Sequence, residues 1–302
     1  MKHAVSISIG SSKRNKAVEV NLFGEMVRIE RIGTDGDMEA AAQKYKELDG
    51  QVDAFGVGGA DLEALVDGKV YPFYSVRPMV RFVKKTPLVD GGGLKNTLEN
   101  KAVPFIDAKI GDYINQMGKK VLIPVGVDRW GLSTSFAEAG YETVFGDMMF
   151  GLDIPIPVRT IKGLRTIAAL LMPIAGRLPF EMLYPTGEKQ EKHVPKFQKY
   201  YHWATVIAGD CHYVKRHMPL ENMQGKVVVT NTTTPSDVEF FRNVGIKYLV
   251  TTTPVMDGRS FGTNMLEAAL VAASGKGRPL SWDELSEMIT KLGFEPQLQE
   301  LN

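Results

Sequence analysis

The strongest chemical signal in the sequence is a six-residue turn, Gly126-Val127-Asp128-Arg129-Trp130-Gly131, set between the apolar run VLIPV and the segment LSTSFAEAGYETVFGD. It reads as the connection between a buried strand and a helix. In open α/β proteins such a turn holds a ligand at the carboxyl end of the strand, over the helix N-terminus. Laid on the dinucleotide fingerprint G-x-G-x-x-G, Gly126 and Gly131 fill the first and third glycine positions, and Asp128 stands at the second. Asp147, 21 residues beyond Gly126, falls where an acid that hydrogen-bonds a ribose is expected, and its charge favours NAD over NADP. Asp128 works against a diphosphate: like charges about 4 Å apart at an effective dielectric near 20 repel by roughly 4 kcal/mol. Either Arg129 offsets that charge or Asp128 points away, and Ser133, Thr134 and Ser135 offer hydroxyls to a phosphate. A Walker A loop is excluded, because Leu132 and Ser133 follow Gly131 where Lys and Ser/Thr are required.

Further candidates lie on other loops. Asp90-Gly91-Gly92-Gly93-Leu94-Lys95 puts a lysine on a triple-glycine loop. Lys95 reads as a proton donor and Asp90 as the carboxylate that tunes it. Asn231-Thr232-Thr233-Thr234-Pro235 and Thr251-Thr252-Thr253-Pro254 each close a predicted strand, and their amide and hydroxyls suit an oxygen-rich ligand. Arg259, after Asp257-Gly258, reads as a carboxylate or phosphate clamp. Asp210 and His212 are read as proton-transfer or hydrogen-bonding groups. With His217 they lack a recognised metal-ligand spacing, and no metal is expected. Ser6, Ser8, Ser11, Ser12 and Lys13 read as a solvated loop rather than an anion site.

These residues need elements to position them. From residue 121 onward strands are predicted at 121–125, 141–145, 205–208, 226–230 and 247–251, with helices at 133–139, near 161–171, 213–218 and 236–244. That alternation predicts an α/β fold with a Rossmann-like, mostly parallel sheet and right-handed crossovers. Before it, a strand at 3–10, an extended segment at 18–32, a helix at 37–48 capped by Asp37 and a strand at 52–59 predict a smaller α/β domain. A hairpin is predicted around Asp67-Gly68, and Gly118 ends a helix at 106–117. The expected division is therefore 1–117, a substrate domain, and 118–302, a nucleotide-binding domain. Residues 149–201 hold six of the 16 prolines and are expected to pack irregularly. Helices at 264–273 and from the Ser281 cap to Lys291 close the chain before a short tail.

Composition narrows the partners. With 302 residues, 44% of them hydrophobic and 24% charged, two globular domains are expected. A formal charge of +1 gives no reason to expect nucleic acid or an anionic membrane. The one cysteine, Cys211, forbids an intrachain disulfide. With no signal-peptide-like start and no apolar run of membrane-spanning length, it predicts a cytoplasmic protein. The expected partner is a small polar molecule, and a homo-oligomer is left open.

The texts VDRWGLSTSFAEAGYETVFGD, LPFEMLYPTGEKQ, WATVIAGDCHYV and TTTPVMDGRSFGTNMLEAALVAASGK resemble a bacterial group that carries the label quinate 5-dehydrogenase. The likeness to shikimate/quinate dehydrogenases is architectural, with a substrate domain ahead of a nucleotide domain. It implies a Lys–Asp pair for proton transfer, with Lys95 as the acid/base, and NAD or NADP as cofactor. Two readings follow. One is an NAD(P)-dependent oxidoreductase acting on a small hydroxy acid, with Lys95 on the first domain's loop and the nicotinamide near Thr232–Thr234 and Thr251–Thr253. The other is a non-redox enzyme or ligand-binding protein that recognises a sugar, a phosphorylated metabolite or another nucleotide.

Overall fold

The computed structural model describes residues 1–184, 193–256 and 259–302. The chain forms two compact units. The first is Met1–Leu94 with Leu171–Gln190 and Phe261–Phe294, and the second is Lys95–Leu170 with Glu191–Ser260 and Glu295–Asn302. The boundary expected between residues 117 and 118 thus falls inside the second unit. The reason is packing of the Ala102–Gln116 helix, which buries Ile106, Ile110 and Ile114. Its Tyr113 ring sits edge-on to Tyr248, 5.3 Å between centroids, and the Tyr113 hydroxyl donates to the Gly225 carbonyl. Gly118 ends that helix without ending the unit.

In the first unit β1 (Lys2–Ser8), β2 (Lys16–Leu22), β3 (Glu25–Gly33), β4 (Ala54–Gly58) and β7 (Leu88–Val89) form one sheet in the order β2-β3-β1-β4-β7. All its pairings are parallel except β2 with β3. The single extended segment expected at 18–32 is a hairpin. Phe23 and Gly24 turn it with φ of 58° and 84°, and the Asn21 side chain accepts from Gly24 N at 2.9 Å. Two positive φ values match the right-handed twist of the flanking strands. A second hairpin, β5 (Glu63–Val66) with β6 (Lys69–Pro72), turns at Asp67-Gly68 as its sequence predicts. The Met38–Leu48 helix starts at Asp37, whose side chain accepts from Ala40 N, and it buries Ala41, Ala42 and Tyr45 against the sheet. The Tyr45 hydroxyl hydrogen is shared by the carbonyls of Ile7 and Gly56, at 3.2 and 3.1 Å. The Thr263–Ser274 helix returns from late in the chain to β1 and β4. Asn264 Nδ2 donates to Ser6 Oγ at 2.6 Å, and a Cβ on Gly56 would lie 2.7 Å from the Asn264 carbonyl oxygen.

The second unit is built on β8 (Lys120–Ile123), β9 (Glu142–Phe145), β10 (Val206–Gly209), β11 (Val227–Thr230), β12 (Tyr248–Thr251) and β15 (Gln297–Glu300), in the order β15-β12-β11-β10-β8-β9. The pairs from β9 to β12 are parallel, and β15 is antiparallel at the edge of β12. The strands β10 and β11 are buried along their whole length, as a sheet covered on both faces requires. A two-residue hairpin, β13 (Val255–Met256) with β14 (Arg259–Ser260), follows β12. The helix expected near 161–171 is present as Ile161–Ala175 and runs past Pro173 close to its end.

Both units are doubly wound in the same sense. The chain lays its second parallel strand on one side of the first and then crosses to the other. The reversal falls between β1 and β4 in the first unit and between β8 and β10 in the second. Outside the carboxyl ends of the strands at such a reversal, open sheets bind their ligands. Among the described residues no helix is long and apolar enough to cross a membrane. Tyr45→Phe is expected to lower the unfolding free energy by about 1 kcal/mol, the net value of one buried hydrogen bond, in urea denaturation.

Candidate functional site

The turn after β8 is shaped by close packing before any ligand is considered. A Cβ on Gly126 would sit 2.8 Å from the Phe145 ring and 3.0 Å from Leu164, and a Cβ on Gly131 would strike the Asn100 side-chain oxygen. A larger residue at Gly126 would have to move the Phe145 ring, and one at Gly131 would have to move the Asn100 side chain, so close packing alone favours glycine at both. The nine-residue Trp130–Glu138 helix buries Leu132 and Phe136. Ser133, expected to meet a phosphate, is fully buried and donates its hydroxyl to the Gly126 carbonyl at 3.0 Å.

Asp147 follows β9 and reaches back to this turn. Its Oδ2 accepts from Gly126 N at 3.0 Å and its Oδ1 from Val127 N at 2.9 Å. Both carboxylate oxygens, read from spacing as a ribose ligand, are thus engaged with backbone amides of the turn itself. Burial pushes the Asp147 carboxyl up to about 6 against the pull of these amides, and the charge of Asp128 adds to the rise.

At the second glycine position the chain builds an ionic network around Arg129. The Asp128 carboxylate accepts from Lys95 Nζ at 3.1 Å and from Arg129 Nε at 3.0 Å. Arg129 Nη1 pairs with Glu99, and Nη2 donates to Asp210 Oδ2 at 3.0 Å. Asn231, at the end of β11, donates to the same Asp210 oxygen at 3.1 Å. Asp210 Oδ1 caps the Cys211–His217 helix by accepting from His212 N at 2.9 Å. The loops after β8, β10 and β11 therefore meet at the sheet reversal, joined there by the 95–99 segment. The layering is marked: Glu99 and Arg129 side chains are 2% and 4% exposed, Lys95 is 13%, and Asp210 and Asp128 are 24% and 32%. Burial pushes the Asp128 carboxyl upward, but Lys95 and Arg129 outweigh it and hold it at about 2. Burial raises the Glu99 carboxyl above its ordinary range despite Arg129 and Lys95.

Several expectations change place. The carboxylate that meets Lys95 is Asp128, and Lys95 itself belongs to the second unit. Asp90 is taken up in loop closure in the first unit, accepting from Leu62 N at 2.7 Å and Gly92 N at 2.9 Å. The glycines beside it answer to packing: Gly91 has φ of 96° and lies against Thr263, and Gly93 lies against Leu285 and Glu267. The Thr253 hydroxyl donates to the Asn231 carbonyl at 2.7 Å and so braces that loop. Thr252 Oγ1 is buried with no hydrogen-bond partner among the described residues. Thr232 is half-buried at the end of β11, and His212 is exposed, contributing its backbone amide to the network. The Arg259 side chain, like Asp257-Gly258, lies outside the described residues. Among the described residues no group of three His, Cys, Asp or Glu side chains is placed to hold a metal ion. Sequence reasoning missed Glu99. Its signal was the four-residue spacing from Lys95, which places both on one face of a helical segment.

A family model described as a domain of unknown function (DUF8754) matches residues 93–301. The chain belongs to that family. A second model, also described as a domain of unknown function (DUF8753), matches residues 3–90. The junction of the two matches adjoins the first passage between the units, at Leu94 and Lys95. No curated protein matches the chain. Among solved structures, a putative malic enzyme (malate oxidoreductase) is 11% identical with a TM-score of 0.37, over 95% of this chain and 76% of the other. A sugar ABC transport system substrate-binding protein from Bordetella parapertussis 12822 is 11% identical with a TM-score of 0.33, over 93% and 82%. A malic enzyme from Entamoeba histolytica is 9% identical with a TM-score of 0.33, over 97% and 70%. Likenesses of this size bear on neither ligand nor chemistry.

Arg129→Met leaves Glu99 buried without its cation and is expected to cost about 3–5 kcal/mol at neutral pH. Urea denaturation should show that loss shrinking as the released carboxylates protonate in acid. The two shifted aspartates act oppositely in the wild type. Asp128, held low, contributes stability that is present above 3.8 and lost as pH falls towards 2. Asp147, held high, penalises folding above about 6, and the penalty fades as pH falls towards 3.8. Asp147→Asn should therefore flatten the wild-type gain in stability on acidification from about pH 7 to pH 5.

Proposed function

We propose that the second unit is a small-molecule enzyme in which Lys95 exchanges a proton with an oxygen of a polar, hydroxylated ligand. The observation that carries this reading is the Lys95–Asp128 pair, 3.1 Å apart at the sheet reversal, with Arg129 buried behind it. Asp128 stays ionised through neutral pH and gives the ammonium a fixed counter-charge. When Lys95 gives its proton to a ligand oxygen, Asp128 loses one partner but keeps Arg129 Nε at 3.0 Å. Proton donation therefore leaves no partly buried carboxylate uncompensated, which keeps the transfer reversible. Asp210 and Asn231 supply acceptor and donor groups that orient hydroxyls beside it.

NAD(P)-dependent oxidation of a small hydroxy acid, a quinate-like one on the resemblance, is the second reading, and the lysine–carboxylate pair favours it. A dinucleotide diphosphate does not fit the turn after β8, where Asp147 holds the two amides and Asp128 fills the second glycine position. On this reading the cofactor lies further along the strand ends, towards Thr232 and Thr252.

Thermal-shift screening against hydroxy acids, sugars, amino sugars and nucleotides tests the first reading. A hydroxylated compound should stabilise the wild type, and Asp210→Asn should weaken that stabilisation. With such a compound turned over, Lys95→Met should lower kcat by about 100-fold or more while binding changes little. Stabilisation and turnover unchanged by both substitutions would sink the reading. Saturable NADH binding below millimolar concentration, followed by its fluorescence, would favour the second.

A further inference from the structure

We infer that Asp147 is a built-in anion that closes the turn after β8 to phosphate, so that the ligand of this sheet edge is unphosphorylated. The inference rests on reading that edge as the ligand-binding one. At the first turn of a doubly wound sheet, the amides ahead of the helix are the donors offered to a ligand's phosphate. Here Gly126 N and Val127 N both point at one carboxylate, at 3.0 and 2.9 Å, and each oxygen of that carboxylate takes one amide. The arrangement reproduces with a side chain what a bound phosphate would do with two of its oxygens. A ligand phosphate arriving here has to displace Asp147 and to lie beside both its charge and that of Asp128. The approach is unfavourable twice over: these two amides are already engaged, and the local charge has the ligand's sign.

The wall that remains is formed by groups of the other polarity. Asp128 and Asp210 are the most exposed carboxylates of the network, and each keeps acceptor capacity beyond its cationic partners. They meet hydroxyl or ammonium hydrogens, while the cations that might have drawn a phosphate lie deeper, Arg129 above all. Asp147 thus acts as a specificity-determining residue: it chooses against an anion and leaves the neighbouring carboxylates to choose for a hydrogen-bond donor.

Removing the carboxylate should open the anion site that it fills. Formate, inorganic phosphate and ADP are the probes, titrated at neutral pH and constant ionic strength against chloride into the wild type, Asp147→Ala and the near-isosteric Asp147→Asn. Thermal denaturation and calorimetry give the readout. The wild type should show no saturable response to phosphate or ADP. Asp147→Ala should be stabilised by formate and phosphate in a saturable way, with affinity at least ten times that of the wild type. Asp147→Asn, which keeps the side-chain volume, should gain a smaller part of the same response, and it serves alone if the alanine variant does not fold. An anion response that is the same in wild type and variants overturns the inference, whether all of them bind or none does. Saturable ADP binding to the wild type at neutral pH overturns it as well. No arm of the experiment uses Lys95, so failure of the proton-transfer reading leaves the result standing, and failure here leaves that reading to its own test.

Discussion

A guanidinium only 4% exposed is the constraint around which the second unit is arranged. Moving such a charge out of water costs several kcal/mol unless partners restore what the solvent gave. Arg129 obtains three carboxylates, and each comes from a different stretch of chain: Glu99 from the segment that enters the unit, Asp128 from the turn after β8, and Asp210 from the end of β10. Satisfying one side chain therefore fixes three loops at once. Lys95 gains a defined position through Asp128, and Asn231 gains one through Asp210.

Much of the architecture was legible because the interactions behind it are local. The β8, β10 and β11 strands are short apolar runs, as parallel strands buried on both faces must be. Asp37 and Ser281 cap the helices they precede, and Asp67-Gly68 turns its hairpin. What escaped was set by partners remote in sequence. QLQE at β15 looks like a tail, since an edge strand needs little apolar character. The Phe23-Gly24 turn carries an aromatic residue where Asn or Asp is the usual sign. The division into units rests on a helix at Thr263–Ser274 that packs on strands more than 200 residues earlier.

The site was legible in its residue types and much less in its pairings. Gly126, Asp128, Arg129, Asp210 and Asn231 follow strands that end at the sheet reversal and were singled out by that position, whereas Lys95 was singled out by its triple-glycine loop. Spacing alone assigned Asp90 to Lys95 and Asp147 to a ribose, because five residues and 21 residues are short distances along a chain. In three dimensions Lys95 meets Asp128, 33 residues away in the chain. Glu99 went unnoticed because its mark, the four-residue spacing from Lys95, tells of a shared helical face and not of the buried arginine that it meets.

The interleaving of the two units bears on how the protein comes into being. The first unit begins at Met1 and is not complete until Phe294 has been added, and the second waits for the strand at Gln297–Glu300. Synthesis runs from the amino end, so neither unit can finish folding while the ribosome is still working through the middle of the chain. The β1 and β4 strands emerge early and stand without the Thr263–Ser274 helix that covers them until nearly nine-tenths of the 302 residues are made. Throughout that interval the side of the sheet that this helix covers is open to chaperones and to other chains. The stretch from Phe261 to Asn302 thus supplies a part to each unit, and neither is whole without it.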